Sequence, residues 1–433
     1  MTSQIIFFLF LAAATWFFTM NVRKVSRNIG LGRNVNRSDR RSERWKTMAL
    51  VALGQSKMVA RPIAGFLHII VYAGFVIINI EVMEIIIDGV FGTHRIFSGI
   101  GPLYDVLIGG FEILAIGVLL ACVIFLIRRN ILKLRRLNMK EMTAWPKTDA
   151  NLILITEILL MTAFLTMNAS DSVLQSRSFS HYISAGSFPV SSIVAGFFST
   201  MSSESLELIE RSAWWFHIIG ILAFLNYLPY SKHFHILLAF PNTWYSNLQK
   251  KGKFNEMENV SREVLLMLDP SAQVTPAAEG DQQKFGAKDI YDLTWKQLMD
   301  SYSCTECGRC TSECPANQTG KLLSPRKIMM DTRDRLEEVG KGIDKNGKDF
   351  KDDKSLFSYI TEEELWACTS CNACVQACPV NIDPLSIIID MRRYLVMEES
   401  KIPSELATMF TKIENNGAPW QFSQADRGNW VNE

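Results

Sequence analysis

The chain has 433 residues, of which 48% are hydrophobic, and its 45 Lys and Arg nearly balance 44 Asp and Glu. This length allows two or three domains. The balanced charge, with no basic and aromatic face, argues against nucleic-acid binding. Apolar stretches of roughly bilayer length occur only before about residue 240. We therefore expect a membrane anchor joined to a soluble domain.

Five apolar stretches are candidates for membrane spans. The first has no positive residue before it, which favours a retained anchor over a signal peptide. The basic loops 23–46 and 128–136 predict that both lie in the cytoplasm, with the N-terminus outside and the chain's end in the cytoplasm. The predicted spans are 5–20, 63–87, 103–127, 152–167 and 213–240.

Eight of the nine cysteines form two runs with the spacing C-x2-C-x2-C-x3-C-P. This spacing is typical of two-cluster ferredoxins, in which the fourth cysteine of each run binds the other cluster. Zinc sites instead pair C-x2-C with a distant second pair. The remaining Cys122 lies in a span and is expected only to pack there. We predict two [4Fe-4S] clusters, the first held by Cys304, Cys307, Cys310 and Cys378, and the second by Cys368, Cys371, Cys374 and Cys314.

Histidines in the predicted spans indicate a second cofactor. His217 and His235 are 18 residues apart in the fifth span, so a continuous helix would place them on one face about 27 Å apart. His68 on the second span matches the depth of His235. Two imidazoles on facing helices suit a bis-histidine haem b, and a hydrogen bond to a neighbouring helix is the alternative. Arg61 and Lys232 lie at the same depth and are expected at the haem propionates.

The outer half of the membrane part holds weaker candidates. A second haem would use His217 with His94 or His181, whereas the alternative places His217 at a quinone pocket. His233 is expected to be structural or to face a propionate. Polar side chains in the outer spans are costly in lipid and should face the bundle interior, where a quinone would need protons; packing or capping is the alternative. These quinone-site candidates are Asn79, Glu81, Glu84 and Glu112.

The expected fold is all-α: a five-helix transmembrane cytochrome b-like bundle followed by a soluble α-helical 2×[4Fe-4S] ferredoxin domain. The membrane haem and quinone domain covers 1–248. A linker with Pro270 and Pro276 covers 249–288, and the dicluster ferredoxin domain covers 289–395. The tail, 396–433, carries Trp420, Arg427 and Trp430 and is expected to dock a partner. The alternative is that it wraps its own domain.

These features resemble a known arrangement. Five spans with histidines on the second and fifth resemble the cytochrome b subunit of respiratory nitrate reductase and the membrane subunit of heterodisulfide reductase. The stretch LPYSKHFH at 228–235, and the segments FG, TWK, CTECGRC, CPA and GKLLSP between 285 and 325, are similar to heterodisulfide-reductase-like iron-sulfur oxidoreductases. Two departures stand out. The nitrate-reductase type has two histidines on its second helix, where only His68 stands here, and larger relatives continue into CCG domains beyond the position of Glu433.

The resemblance implies a membrane electron-transfer subunit of the electron-transfer flavoprotein:menaquinone oxidoreductase type in a bacterial inner membrane. The expected cofactors are two [4Fe-4S] clusters and one or two b haems, with menaquinone as substrate. The expected partners are a separate CCG-domain iron-sulfur subunit and an electron-transfer flavoprotein. A heterodisulfide or thiol-disulfide reductase subunit is the alternative, and a redox-sensing membrane protein is the alternative of another class. Because no substrate chemistry is apparent in this chain alone, the catalytic residues are unknown and enzyme activity belongs to the complex.

Overall fold

The structure is a computed structural model that describes residues 1–272, 284–421 and 423–432. Every regular element in these ranges is helical, and one isolated bridge joins Arg33 to Thr294. Pro276 of the predicted linker lies outside the described residues. The α-helices are α1 (Thr2–Ile29), α2 (Arg41–Met48), α3 (Pro62–Phe91), α4 (Pro102–Leu126), α5 (Trp145–Ser176), α6 (Ser191–Phe198), α7 (Ser203–Tyr227), α8 (His235–Trp244), α9 (Glu258–Leu268), α10 (Trp295–Ser303), α11 (Arg309–Glu313), α12 (Pro315–Gln318), α13 (Pro325–Asn346), α14 (Glu362–Trp366), α15 (Ala373–Ala377), α16 (Pro384–Met397) and α17 (Ser404–Asn416).

Five helices in the described part of the chain are long and apolar enough to cross a membrane, which confirms the predicted number of spans. Proline at the first helical position begins α3 and α4, where its missing N–H costs no hydrogen bond. Gly92 ends α3 in the left-handed conformation that favours glycine. The five spans are Thr2–Ile29, Pro62–Phe91, Pro102–Ile131, Trp145–Ser176 and Ser203–Tyr230.

The fifth span differs from its prediction. It begins at Ser203 instead of 213 and ends by Tyr230 instead of 240. Pro229 cannot donate the next helical hydrogen bond, so two 3-10 turns follow α7, and a new helix begins at His235. The prediction that His217 and His235 share one continuous helix and one face is therefore wrong.

The membrane bundle packs around α5, which contacts both α4 and α7. Its core contains Ile108, Phe111, Phe164 and Ile218, all almost fully buried. Large apolar side chains such as Val106 project from the outer surface of the bundle. In a bilayer this apolar exterior is the surface that lipid covers.

The cysteine-bearing half packs directly on one end of the bundle. Its core, which includes Leu298 and Leu336, is continuous with Val25 of α1 and Phe234 after α7. The bridge at Arg33 adds two backbone hydrogen bonds, to Leu293 and from Trp295. Because these backbones nearly touch, a Cβ on Gly32 would lie 2.6 Å from the Trp295 nitrogen. The two halves therefore share one core.

Ion pairs reinforce this contact. Lys232 pairs with Glu306 between the first two cysteines, and both side chains are buried. Arg333 donates to the other oxygen of Glu306 at 2.7 Å. Although burial alone would raise it, the charges of Arg333 and Lys232 lower the pKa of Glu306. The exposed pair between Arg61 and Glu313 joins the same two halves at 2.9 Å.

The contrast between these pairs predicts their energies. Lys232→Met leaves Glu306 buried with one cation fewer, and breaking a buried pair costs on the order of 3 kcal/mol. Arg61→Gln is the matched control, because an exposed pair contributes about 0–1 kcal/mol. We expect the thermal unfolding midpoint of the detergent-solubilised protein to fall clearly in Lys232→Met alone. Equal shifts in the two variants would contradict a central role for Lys232.

Candidate electron-transfer site

The two cysteine runs fold into loops with the same backbone pattern. The second and fourth residues after the first cysteine have positive φ in both: Glu306 and Gly308 in one loop, Ser370 and Asn372 in the other. Three of these four are not glycine, and such conformations are uncommon outside functional sites. Short helices, α11 and α15, follow the loops and pack against each other. The sequence repeat is thus a structural repeat.

The structure brings Cys378 of the second run to the thiols of the first. Burial and then the neighbouring thiols of Cys307 and Cys304 raise the pKa of Cys378 to about 12. Burial and the same neighbours, together with Cys378, also raise the pKa of Cys310. The four side chains assigned to the first cluster therefore lie close together.

The reciprocal exchange is also present. Burial raises the pKa of Cys374, and the nearby thiols of Cys368 and Cys314 raise it further. Cys368 likewise has Cys314 and Cys371 as neighbours. Cys314 of the first run thus lies with the second run, which is the arrangement that the crossed ligand sets require.

The surroundings of these sulfurs suit iron-sulfur clusters. Buried thiolates are costly without a positive charge, which bound iron supplies. Backbone N–H groups point at two sulfurs: Ser370 N lies 3.4 Å from Cys368 Sγ, and Ile382 N lies 3.3 Å from Cys378 Sγ. Hydrogen bonds of this kind to sulfur tune cluster potentials. The donor set therefore fits two clusters.

The two thiol groups differ in their surroundings. Contacts from the membrane part reach the first group: Lys57 Nζ lies 3.3 Å from the Cys378 oxygen, and Arg136 donates to the Cys307 oxygen. Arg309, between two cysteines, donates to the Lys57 oxygen at 2.9 Å. Cys371 of the second group is exposed. The first group faces the membrane bundle, and the second reaches the surface.

Three histidines cluster beneath the first group, at the inner end of the bundle. Burial lowers the pKa of His233 to about 3, with further lowering by the nearby His235 and His68. The rings of His233 and His235 are 5.5 Å apart. The structure thus brings His68 and His235 into one cluster from separate helices, as predicted from their depth, and adds His233. The alternation in the KHFH segment was the sequence signal for this third histidine.

The ring nitrogens of the predicted haem ligands leave room for a further bond. His235 Nδ1 lies 3.1 Å from the Lys232 oxygen, which leaves Nε2 for a metal. His68 Nδ1 is buried without a partner among the described residues. The donor chemistry therefore fits axial ligation of a haem. The predicted propionate contacts, Arg61 and Lys232, are engaged by Glu313 and Glu306 of the cysteine-bearing half.

The remaining histidines lie elsewhere. His217 is fully buried, with Nδ1 2.9 Å from the Leu160 oxygen and its ring 5.9 Å from Phe164. His94 and His181 come together at the other end of the bundle, with ring centroids 5.6 Å apart. Within the described chain, these two pair with each other and not with His217.

The four predicted quinone-site residues fall into different environments. Glu112 accepts hydrogen bonds from the backbone N–H groups of residues 190 and 191, and Glu84 accepts from Phe97 N at 2.9 Å and Tyr104 OH at 2.8 Å. Asn79 is exposed and donates to the backbone of its own helix. Glu81 is buried, and its Oε2 has no partner in the part of the chain that the structure describes. Packing accounts for Glu84 and Glu112 but not for Glu81.

Comparison with known proteins agrees with this site. A family model described as a 4Fe-4S dicluster domain matches residues 303–382. The fold and site therefore define a membrane-anchored protein with a 4Fe-4S dicluster domain. No solved structure matches the chain.

Curated relatives are redox proteins. The chain is 29% identical to the probable iron-sulfur-binding oxidoreductase FadF of Bacillus subtilis, covering 100% of this chain and 61% of the relative. It is 27% identical to the EtfAB:quinone oxidoreductase of Syntrophomonas wolfei, covering 92% and 55%. It is 30% identical to one subunit of the dihydromethanophenazine:CoB–CoM heterodisulfide reductase of Methanosarcina mazei, covering 33% and 36%. The chain thus spans little more than half the length of the first two relatives.

The crossed ligand sets generate a prediction. Purified protein should contain about eight iron and eight sulfide, for two four-iron clusters. Cys314→Ala should damage the cluster of the second run and spare that of the first, because Cys314 lies among the second-run thiols. Electron paramagnetic resonance of the reduced protein distinguishes the two clusters, and Cys122→Ala is the control. Zinc without sulfide, or loss of the first cluster alone in Cys314→Ala, would contradict the assignment.

Proposed function

We propose that this chain is the membrane electron-transfer subunit of a quinone-linked oxidoreductase. It passes electrons between a redox partner and the menaquinone pool through two [4Fe-4S] clusters and haem b. One observation carries the proposal: the first cysteine group lies directly over the histidine cluster at the inner end of the membrane bundle. The bound groups supply one-electron chemistry, and the chain holds them in sequence.

The contacts of the two cysteine groups support an order for the relay. Exposed Cys371 makes the second group the point of exchange with a soluble partner. The first group, in contact with Lys57 and Arg136, is the point of exchange with the membrane part. His68 and His235 then hold haem b beneath it. His217 is either a ligand of a second haem or a packing residue near quinone.

The partner is proposed from the relatives. The EtfAB:quinone oxidoreductase name favours an electron-transfer flavoprotein as donor, through a CCG-type iron-sulfur subunit. The heterodisulfide reductase relatives support the second candidate, a thiol-disulfide couple. The basic loops favour a cysteine-bearing half on the cytoplasmic side of a bacterial inner membrane. A redox sensor would not need histidines leading from the clusters into the bundle.

The predicted docking tail has a surface suited to a partner. Helix α17 has no buried residue, and its apolar Phe410 and Ile413 are exposed. Trp430 is 75% exposed. Aromatic anchors of this kind are enriched at interfaces. We propose that the segment 396–432 contacts the partner.

The haem assignment is tested by spectroscopy. Dithionite-reduced protein should show b-type absorption bands, and a menaquinone analogue should reoxidise them. His68→Ala and His235→Ala should each abolish at least one haem, because each removes an axial ligand. His181→Ala is the control at the opposite end of the bundle. Normal haem content in both ligand variants would remove these residues from the site.

The tail proposal is tested by truncation after Tyr394. The shortened protein should keep its eight iron atoms but lose the partner in pull-down, because the clusters lie before the truncation. Full-length protein carrying Phe410→Ser and Ile413→Ser provides a milder version of the change. Undiminished partner binding with intact clusters would show that the tail is not the docking element.

A further inference from the structure

A cavity of about 290 Å³ lies at the end of the bundle opposite the cysteine groups. The outer ends of α1, α3, α5 and α7 surround it, together with His94 and Arg95 before α4 and His181 after α5. Its volume is close to the lower limit of about 300 Å³ for small-molecule sites. We name it the outer cavity.

Two buried polar atoms at the outer cavity have no hydrogen-bond partner among the described residues. They are Glu81 Oε2 and His94 Nδ1, and both residues line the cavity. Glu81 is only 3% exposed. A buried polar atom left unsatisfied costs about 1–3 kcal/mol, so native proteins rarely keep one without a reason. Two at one cavity indicate a missing ligand with hydrogen-bonding groups.

Neighbouring groups do not account for these two atoms. Arg95 is a buried cation at this cavity, and it is committed to Asp171 at 2.6 Å, Asn168 at 2.9 Å and Tyr104 at 3.1 Å. His94 Nε2 lies 3.3 Å from Asp171 Oδ1, so the second ring nitrogen of His94 is left for another partner. Within the described residues, no three His, Cys, Asp or Glu side chains are grouped to hold a metal ion.

The opposite wall of the outer cavity is aromatic. Phe7 lies with its ring 5.5 Å from Trp214 and 6.1 Å from Trp215, and all three line the cavity. Aromatic faces favour offset or edge contacts with a flat ring. A ligand that satisfies both walls is therefore a flat, apolar ring carrying polar oxygens on its edge.

We propose that the outer cavity binds the ring of a quinone or quinol, with Glu81 and His94 as hydrogen-bond partners of its oxygens. The inference rests on the proposed quinone-linked function and adds the place and the residues. In quinone reduction the ring gains two electrons, supplied singly by the reduced cytoplasmic partner through the chain. It also gains two protons, one on each oxygen, through Glu81 and through His94. Quinol oxidation has the same balance in reverse.

This position separates the paths of electrons and protons. Glu81 follows His68 by 13 residues on one helix, which is about 20 Å along its axis. Electrons would enter from the cysteine-bearing end, whereas the protons exchange at the outer end. Buried His217 lies on α7 seven residues from Glu210 of the cavity wall, between the two ends.

Binding of a hydroxyquinoline N-oxide quinone analogue to full-length protein, followed by fluorescence quenching, tests the site. We expect Glu81→Gln and His94→Phe each to raise the Kd at least tenfold, because each removes a partner of a ring oxygen. Glu204→Gln, an exposed carboxylate at the outer start of α7, is the matched control and should bind as the wild type does. Cluster signals in electron paramagnetic resonance should be unchanged in all three.

Photolabelling of the unaltered protein with an azidoquinone gives a readout that does not depend on variant folding. Label should map to the outer half of α3, the 93–95 loop or the start of α7. Label confined to the inner ends of the bundle, or wild-type Kd in both cavity variants, would overturn the outer site while leaving the quinone function standing. Failure of wild-type protein to bind the analogue at all would overturn both.

Discussion

One carboxylate fixes the point where the membrane bundle meets the cysteine loops. Asp149 of α5 accepts hydrogen bonds from Tyr227 OH, from Ser231 Oγ at 2.6 Å and from the Lys232 backbone N–H at 3.2 Å. These donors belong to the break after α7, where helical hydrogen bonds have stopped. Each would cost about 1–3 kcal/mol if left buried and unsatisfied. Asp149 therefore stabilises a chain direction along the inner end of the bundle, and α8 begins there.

The position of the first cysteine loop depends on that break. Because the Lys232 backbone is held by Asp149, its side chain is directed to Glu306 and to the Pro146 oxygen at 2.6 Å. Glu306 lies between two cysteines in a left-handed conformation, with φ 55°. A buried ion pair contributes little net stability, but it can select one register of two surfaces over others. Here the register brings the cysteine loop to the segment that carries His235.

The sequence predicted the parts that depend on short-range pattern. Cysteine spacing indicated the ferredoxin-like loops, and hydropathy indicated five spans. The break at Pro229 was missed because apolar residues continue through Phe240, so hydropathy alone does not end the span. The true partner of Lys232 was missed because Glu306 is 74 residues away, and only tertiary packing brings it near. His94 was assigned to an external loop, and its approach to Asp171 depends on the same kind of long-range contact.

The outer carboxylates show how the bundle distributes its polar groups. Glu84 and Glu112 accept backbone N–H groups from the loops that close the bundle, so their carboxylates replace hydrogen bonds that irregular chain cannot make internally. Glu81 lies one turn before Glu84 and closes no loop in the described chain. A carboxyl group is costly at such a depth, and an apolar residue would pack there without that cost. An anchor alone would not need Glu81, whereas a bundle that exchanges protons with a ring in the outer cavity needs a titratable group at this level of α3.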